Sequence, residues 1–147
     1  MEDSSPILVS ACLLGVPCRY DGTGFADERI LALAKKYQLI PVCPEQLGGL
    51  PTPRSPAERN GTRILTRDDR DVTAAFSRGA EETLRLAKLF SCRIAILKAN
   101  SPSCGSGQIY DGCFRGRLIP GDGMTAALLK QQGITVLSEK DDLSSLF

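Results

Sequence analysis

Ala95-Ile-Leu-Lys-Ala-Asn-Ser-Pro-Ser-Cys-Gly-Ser-Gly-Gln108 is the stretch that decides the fold. It begins as an apolar run, turns at Asn100-Ser101-Pro102, and delivers Cys104 into a glycine-rich loop. Short β-like apolar runs that stop at turn residues read as strand ends. Two other runs stop in the same way. Residues 7–11 lead into Cys12, and residues 39–42 lead into Cys43. If these strands are parallel neighbours, their carboxyl ends open on one crevice, where open α/β sheets bind ligands. The sequence thus gathers thiols at one site.

Outward from that stretch, the rest reads as alternating strands and helices. Asp27 is a cap for a helix over 28–37, between strands 7–11 and 39–43, which makes a βαβ unit. Residues 44–56 hold too many prolines and glycines for regular structure over most of their length, and read as a fixed wall or lid. Residues 63–66 form an edge strand or hairpin arm. Apolar residues from Val72 to Phe90 recur at helical spacing and predict the longest helix. Residues 93–98 are the third main strand, and 110–116 a loop with a hairpin turn. Asp122 is placed as the cap of a helix over 123–132, stopped by Gly133. A last strand over 134–137 and a short helix over 141–146 follow. The expected fold is a three-layer, Rossmann-like or flavodoxin-like α/β domain with a mainly parallel sheet, spanning 1–147 as one unit.

Bulk composition narrows the chemistry. The chain has 147 residues and a net charge of +1, so no strong field favours nucleic acid or membrane. Met1-Glu-Asp-Ser lacks the basic start of an export signal, and no apolar run approaches the roughly 18–20 residues of a membrane helix. A soluble cytoplasmic protein is expected. There are 6 cysteines and no histidine. Without export, cysteines serve more often as metal ligands or catalytic thiols than as disulfides. The missing histidine excludes a Ser-His-Asp triad, a Cys-His dyad and histidine-ligated zinc.

Cys92, at a helix–strand junction, and Cys113, in a surface turn, are assigned to ordinary packing. Cys12, Cys18, Cys43 and Cys104 all lie in Pro/Gly loops after apolar strands. Three readings compete for them. Structural zinc would want tight C-x2-C pairs, which are absent. A reactive thiol pair needs a neighbour that lowers its pKa, for which Arg19 or Lys98 would serve. An iron–sulfur cluster accepts thiolates from distant loops, and three ligands would leave one iron open. Spacing alone does not choose among them.

Glu45 follows Cys43-Pro44 and is the one carboxylate of its loop. A solvated glutamate is the usual case, but this place suits a general acid or base. Ser101 and Ser103 flank Pro102, and either bond the turn locally or point hydroxyls at substrate. Cys104-Gly105-Ser106-Gly107 is a short candidate anion nest. Arg19 and Arg54 are candidate anion clamps.

Four blocks together resemble the thiouracil desulfidases. They are Val9-Ser-Ala-Cys-Leu-Leu-Gly-x-x-Cys-Arg-Tyr-Asp-Gly22, Pro41-Val-Cys-Pro-Glu-x-Leu-Gly-Gly-Leu-Pro-Thr-Pro-Arg54, Leu97-Lys-x-x-Ser-Pro-Ser-Cys-Gly105 and Gly121-Asp-Gly-x-Thr-Ala126. The likeness runs over about residues 7–139, with no block that can be placed in 57–90. It implies a [4Fe–4S] cluster held by Cys12, Cys18 and Cys104, with Cys43 as the spare or alternative ligand. The open iron would bind the sulfur of a thiolated uracil, as thiouracil or a nucleotide like 4-thiouridine monophosphate. Water would replace sulfur, and hydrogen sulfide would leave without net redox change. Glu45 and Ser101 would be catalytic. Arg19, Arg54, Lys98, Asn100, Ser103, Gly105, Ser106 and Gly107 would surround the substrate. The alternative from another class is an iron–sulfur or zinc module that binds or senses redox state without turnover.

Overall fold

Ile7-Leu-Val-Ser10 is buried at every position, as a strand must be when both faces of its sheet are covered. The computed structural model describes residues 5–147; the acidic start Met1-Glu-Asp-Ser lies outside the described residues. In chain order the strands are β1 Ile7–Ser10, β2 Leu39–Val42, β3 Ala57–Asn60, β4 Arg63–Thr66, β5 Ile94–Leu97, β6 Gln108–Tyr110, β7 Leu118–Pro120 and β8 Thr135–Ser138. The α-helices are α1 Glu28–Ala32, α2 Pro44–Leu47, α3 Thr73–Leu89 and α4 Met124–Gln131.

Strands β2, β1, β5 and β8 form one parallel sheet in that spatial order. Side chains alternate across it. Ile7, Val9 and Ile96 pack with Ile30 and Leu33 on the face covered by α1. Leu8, Ala95 and Leu97 pack with Ala87, Ala126 and Leu129 on the face covered by α3 and α4. Three layers result, as the strand–helix alternation predicts. The chain runs from β1 out to β2, then returns to place β5 on the other side of β1. The order therefore reverses between β1 and β5, and a crevice opens above their carboxyl ends. Two antiparallel hairpins, β3–β4 and β6–β7, lie outside the sheet.

The long helix forms where its apolar spacing places it. Phe76, Gly79, Ala80, Thr83 and Ala87 make its buried stripe. Glycine serves there for close approach: a Cβ on Gly79 would lie 1.9 Å from the Pro44 carbonyl oxygen, and one on Gly48 would lie 2.0 Å from that of Ala75. Helices α2 and α3 thus touch backbone to backbone.

Four local expectations are corrected. The helix after Asp27 is α-helical only over Glu28–Ala32 and then tightens to a 3₁₀ turn, Leu33–Lys35. Asp27 does cap it, accepting from the Arg29 N–H at 3.0 Å. Residues 44–56 begin with a one-turn helix, since proline at its first position costs no internal hydrogen bond. At the C-terminus only Ser144–Leu146 winds, as a 3₁₀ turn. Asp122 does not cap α4; Gly123 stands at that position, with no side-chain cap. The amides of Gly123, Met124 and Thr125 instead donate to the carbonyls of Gly105, Pro102 and Ser103 at 2.8–2.9 Å. Asp122 turns away and accepts from the Gly107 N–H and the Lys130 ammonium.

Candidate active site

The crevice above β1, β2 and β5 is a cavity of about 350 Å³. That is the low end of the range for small-molecule sites. Cys12, Cys18, Cys43 and Cys104 all line it, and all are free thiols. They come from the 3₁₀ turn after β1, the loop beyond it, the end of β2 and the loop after β5. Cys92 is buried elsewhere and Cys113 is exposed; neither reaches the cavity.

The thiols are neighbours. The Cys12 thiol beside Cys18 holds the latter above its ordinary pKa. Contact with Cys18, followed by burial, raises Cys43 further still. Burial pushes Cys104 up to about 12, against a hydrogen bond from the Ser10 hydroxyl to its Sγ at 3.6 Å. Ser10 also accepts the Lys98 N–H at 2.9 Å and so ties the ends of β1 and β5 together. Sequence reasoning passed over Ser10 as a strand residue. Among the described residues, no three His, Cys, Asp or Glu side chains converge as the ligands of a single ion would.

Glu45 points into the cavity from the first turn of α2, and its Oε1 accepts from Arg54 Nε at 2.9 Å. Other donors of Arg54 reach the Pro51 carbonyl, the Thr52 hydroxyl and the Cys18 carbonyl. Arg54 lines the cavity, but four of its five N–H donors are spent on the protein, so it is not an open bidentate anion clamp. It stitches the proline-rich lid, the carboxylate and the Cys18 loop into one unit. Lys98 lies 2.7 Å from the buried Glu139 Oε2, and its ammonium sits 4.9 Å from the centre of the Phe25 ring. Glu139 also accepts the Ala99 N–H at 2.8 Å. Arg19 lines the cavity, 6.0 Å from the same ring.

Asn100 and Ser101 line the cavity as expected. Asn100 holds a left-handed backbone, φ 72°, which asparagine tolerates and which starts the turn. Ser101 Oγ accepts the Cys104 N–H at 2.7 Å. Ser103, Gly105, Ser106 and Gly107 are placed outside the cavity. Ser103 is fully buried and pairs its hydroxyl with that of Thr125 at 2.8 Å. The Gly105 amide donates to the Ser101 carbonyl, and that of Gly107 to Asp122. These amides are consumed by the fold, so the loop is not an open nest. The far wall brings residues the sequence did not single out: Glu58 from β3, Arg67 just after β4, Tyr110 from β6, and Phe114 from the β6–β7 connection. The reading of 63–66 as an edge strand or hairpin arm carried no signal that Glu58, on the strand before it, would turn inward.

Comparison with known proteins agrees with this arrangement. A Bacillus subtilis (strain 168) protein, the uncharacterized YbbK, is 49% identical over 145 residues, covering 92% of this chain and 96% of that protein. A solved structure described as the [4Fe-4S]-dependent thiouracil desulfidase TudS superposes with a TM-score of 0.87. It is 49% identical, with 97% of this chain and 95% of that one covered. The family model for 2-thiouracil desulfurase matches residues 7–141, which takes in all four thiols and Glu45, and the chain belongs to that family.

Proposed function

We propose that this chain is a [4Fe–4S]-dependent desulfidase that replaces the sulfur of a thiolated uracil with oxygen, on the base or its nucleotide, hydrolytically and without net redox change. One observation carries the reading: four thiols and the Glu45 carboxylate meet in one cavity at the carboxyl ends of a parallel sheet, in a chain with no histidine. The donor set fits the cofactor, since iron–sulfur clusters are held by cysteine thiolates. Cys12, Cys18 and Cys104 would hold it, and Cys43, between Cys18 and Cys104, is the alternative ligand. The cluster would supply a Lewis-acidic iron with affinity for sulfur, which makes the substrate's sulfur a better leaving group.

The balance is simple. A thiocarbonyl and one water give a carbonyl and hydrogen sulfide, so both water protons leave on sulfur. Glu45 takes the first proton from water and returns it to the departing sulfur. Arg54 fixes the rotamer of Glu45 for that transfer. Ser101 accepts from the Cys104 N–H, so its own O–H is left to donate to the remaining carbonyl oxygen of the base or to the water. Asn100, Lys98 and Arg19 meet the polar edge of the substrate. A module that only bound or sensed would have no use for a carboxylate fixed in this way.

The test is anaerobic reconstitution, followed by sulfide measurement with 2-thiouracil, 4-thiouracil and 4-thiouridine monophosphate, with no reductant added. About four irons per chain and sulfide equal to uracil formed are expected. Loaded protein that releases sulfide from none of the three would sink the reading. A requirement for stoichiometric reductant would overturn its non-redox part.

A further inference from the structure

We propose that Glu58 is a positioning residue that sets the far wall of the cavity, by holding the β6–β7 connection so that Phe114 faces the substrate ring. This rests on the desulfidase reading for the identity of the substrate, but not for the geometry.

Glu58 sits in β3 and is 9% exposed. None of the ion pairs among the described residues includes it. Its Oε1 instead accepts two backbone amides of the other hairpin, Gly112 N–H at 3.0 Å and Phe114 N–H at 3.1 Å. Buried carboxylates need such donors, and bonds to a charged acceptor are stronger than neutral ones.

The loop it grips needs holding. Phe114 has φ 55° and Gly112 φ 93°, both left-handed. For phenylalanine that conformation is uncommon and persists only where its surroundings over-determine it. Glu58 bonds the Phe114 amide, and the Arg67 guanidinium lies 5.3 Å from the ring centre. Gly112 is pressed onto β3, where a Cβ would meet the Arg59 carbonyl oxygen at 2.8 Å. Two hairpins outside the sheet are thereby locked together, and both contribute to the cavity wall. An aromatic ring fixed this way offers a stacking face for a flat pyrimidine.

The experiment compares Glu58→Ala, Glu58→Gln and Phe114→Ala in the reconstituted protein. It reads kcat and KM for sulfide release from 4-thiouracil, iron per chain, and amide exchange over residues 111–117. Glu58→Ala should raise KM about 10-fold or more, the worth of one to two such bonds. Its kcat should stay within about 3-fold and its iron should be unchanged, while residues 111–117 exchange faster. Glu58→Gln keeps an acceptor in place and should recover most of the binding and the slow exchange. Phe114→Ala should reproduce the KM rise with Glu58 intact. Wild-type KM and exchange in Glu58→Ala, or a fall in kcat alone, would overturn the proposal. If Glu58→Ala does not fold, wild-type KM in Phe114→Ala overturns it. If the wild type releases no sulfide, the desulfidase reading fails. Exchange over 111–117 then still decides the positioning role.

Discussion

Gly79 on α3 faces the carbonyl of Pro44, and replacing it with alanine tests how the site is aimed. The added Cβ would lie 1.9 Å from that oxygen and 2.8 Å from its carbon. Ordinary contact begins at 3.4 Å, so about 1.5 Å must be absorbed. The obstacle is backbone and cannot rotate away. Alanine in a helix interior gains about 1 kcal/mol over glycine. Overpacking costs about 1–3 kcal/mol, with a backbone obstacle at the upper end. The net loss is about 1–2 kcal/mol, which lowers Tm by roughly 3–6 °C at this chain length. Activity should suffer more than stability. Helix α2 starts one residue after Cys43 and carries Glu45 in its first turn. Displacing reacting groups by about 1 Å costs on the order of 10²-fold. The assay measures melting, iron content and sulfide release in Gly79→Ala beside Glu81→Ala, a change on the exposed face of the same helix. Iron content should hold, turnover should fall about 10²-fold, and Glu81→Ala should match the wild type. A Gly79→Ala protein that melts higher and turns over normally would refute the close-contact argument.

The other expectations concern the thiols and the ion pair. Cys12→Ala, Cys18→Ala and Cys104→Ala should each lose the cluster and all sulfide release, whereas Cys92→Ala and Cys113→Ala should keep both; iron retained in Cys104→Ala would move Cys43 into its place. Glu45→Gln still accepts from Arg54 but cannot take a proton, so turnover should drop roughly 10²–10⁴-fold with iron unchanged. Full activity there would remove Glu45 from the mechanism. Arg54→Met leaves Glu45 unpaired and the Cys18 carbonyl with only the weak Cys43 thiol as donor. Because Glu45 is 19% exposed, the loss of stability should fall at about 3 kcal/mol, the low end for a broken buried pair. An unchanged denaturation midpoint in that variant would show that the pair is decorative.

The sheet was legible because strand and helix periods differ and because cysteines mark where strands stop. Runs 7–11, 39–43 and 93–98 each end at a site loop, and the structure trims them by a residue or so. What could not be read was which partner a polar group would choose. Asp122 has the right residue type and place for a cap, yet the α4 amides find carbonyls of the Cys104 loop. Gly123 permits this, since a Cβ there would lie 2.4 Å from the Ser103 carbonyl carbon. That one contact also removes Ser103 from the substrate side, through its bond to Thr125. Arg54 shows the same limit: a charge near a predicted crevice reads as a clamp, and only the fold shows most of its donors occupied. Glu58 and Phe114 come from hairpins whose pairing is local, so nothing in their own spacing ties them to a distant strand end.

Each thiol is carried by backbone that is pinned without help from a metal. The Cys12 carbonyl accepts the N–H groups of Gly15 and Phe25, and Arg54 holds the Cys18 carbonyl. The glycine contact between α2 and α3 fixes the chain beyond Cys43, and Ser101 with the start of α4 fixes the Cys104 loop. The side chains of Cys18, Cys43 and Cys104, by contrast, are thiols whose ionised forms a neighbouring thiol or burial disfavours. Backbone order and side-chain charge are therefore separate problems in this site. The fold solves the first, and cationic iron would solve the second, because a metal draws the proton from a thiol it binds. The upward shifts at Cys18, Cys43 and Cys104 are thus consistent with a thiolate-bound centre.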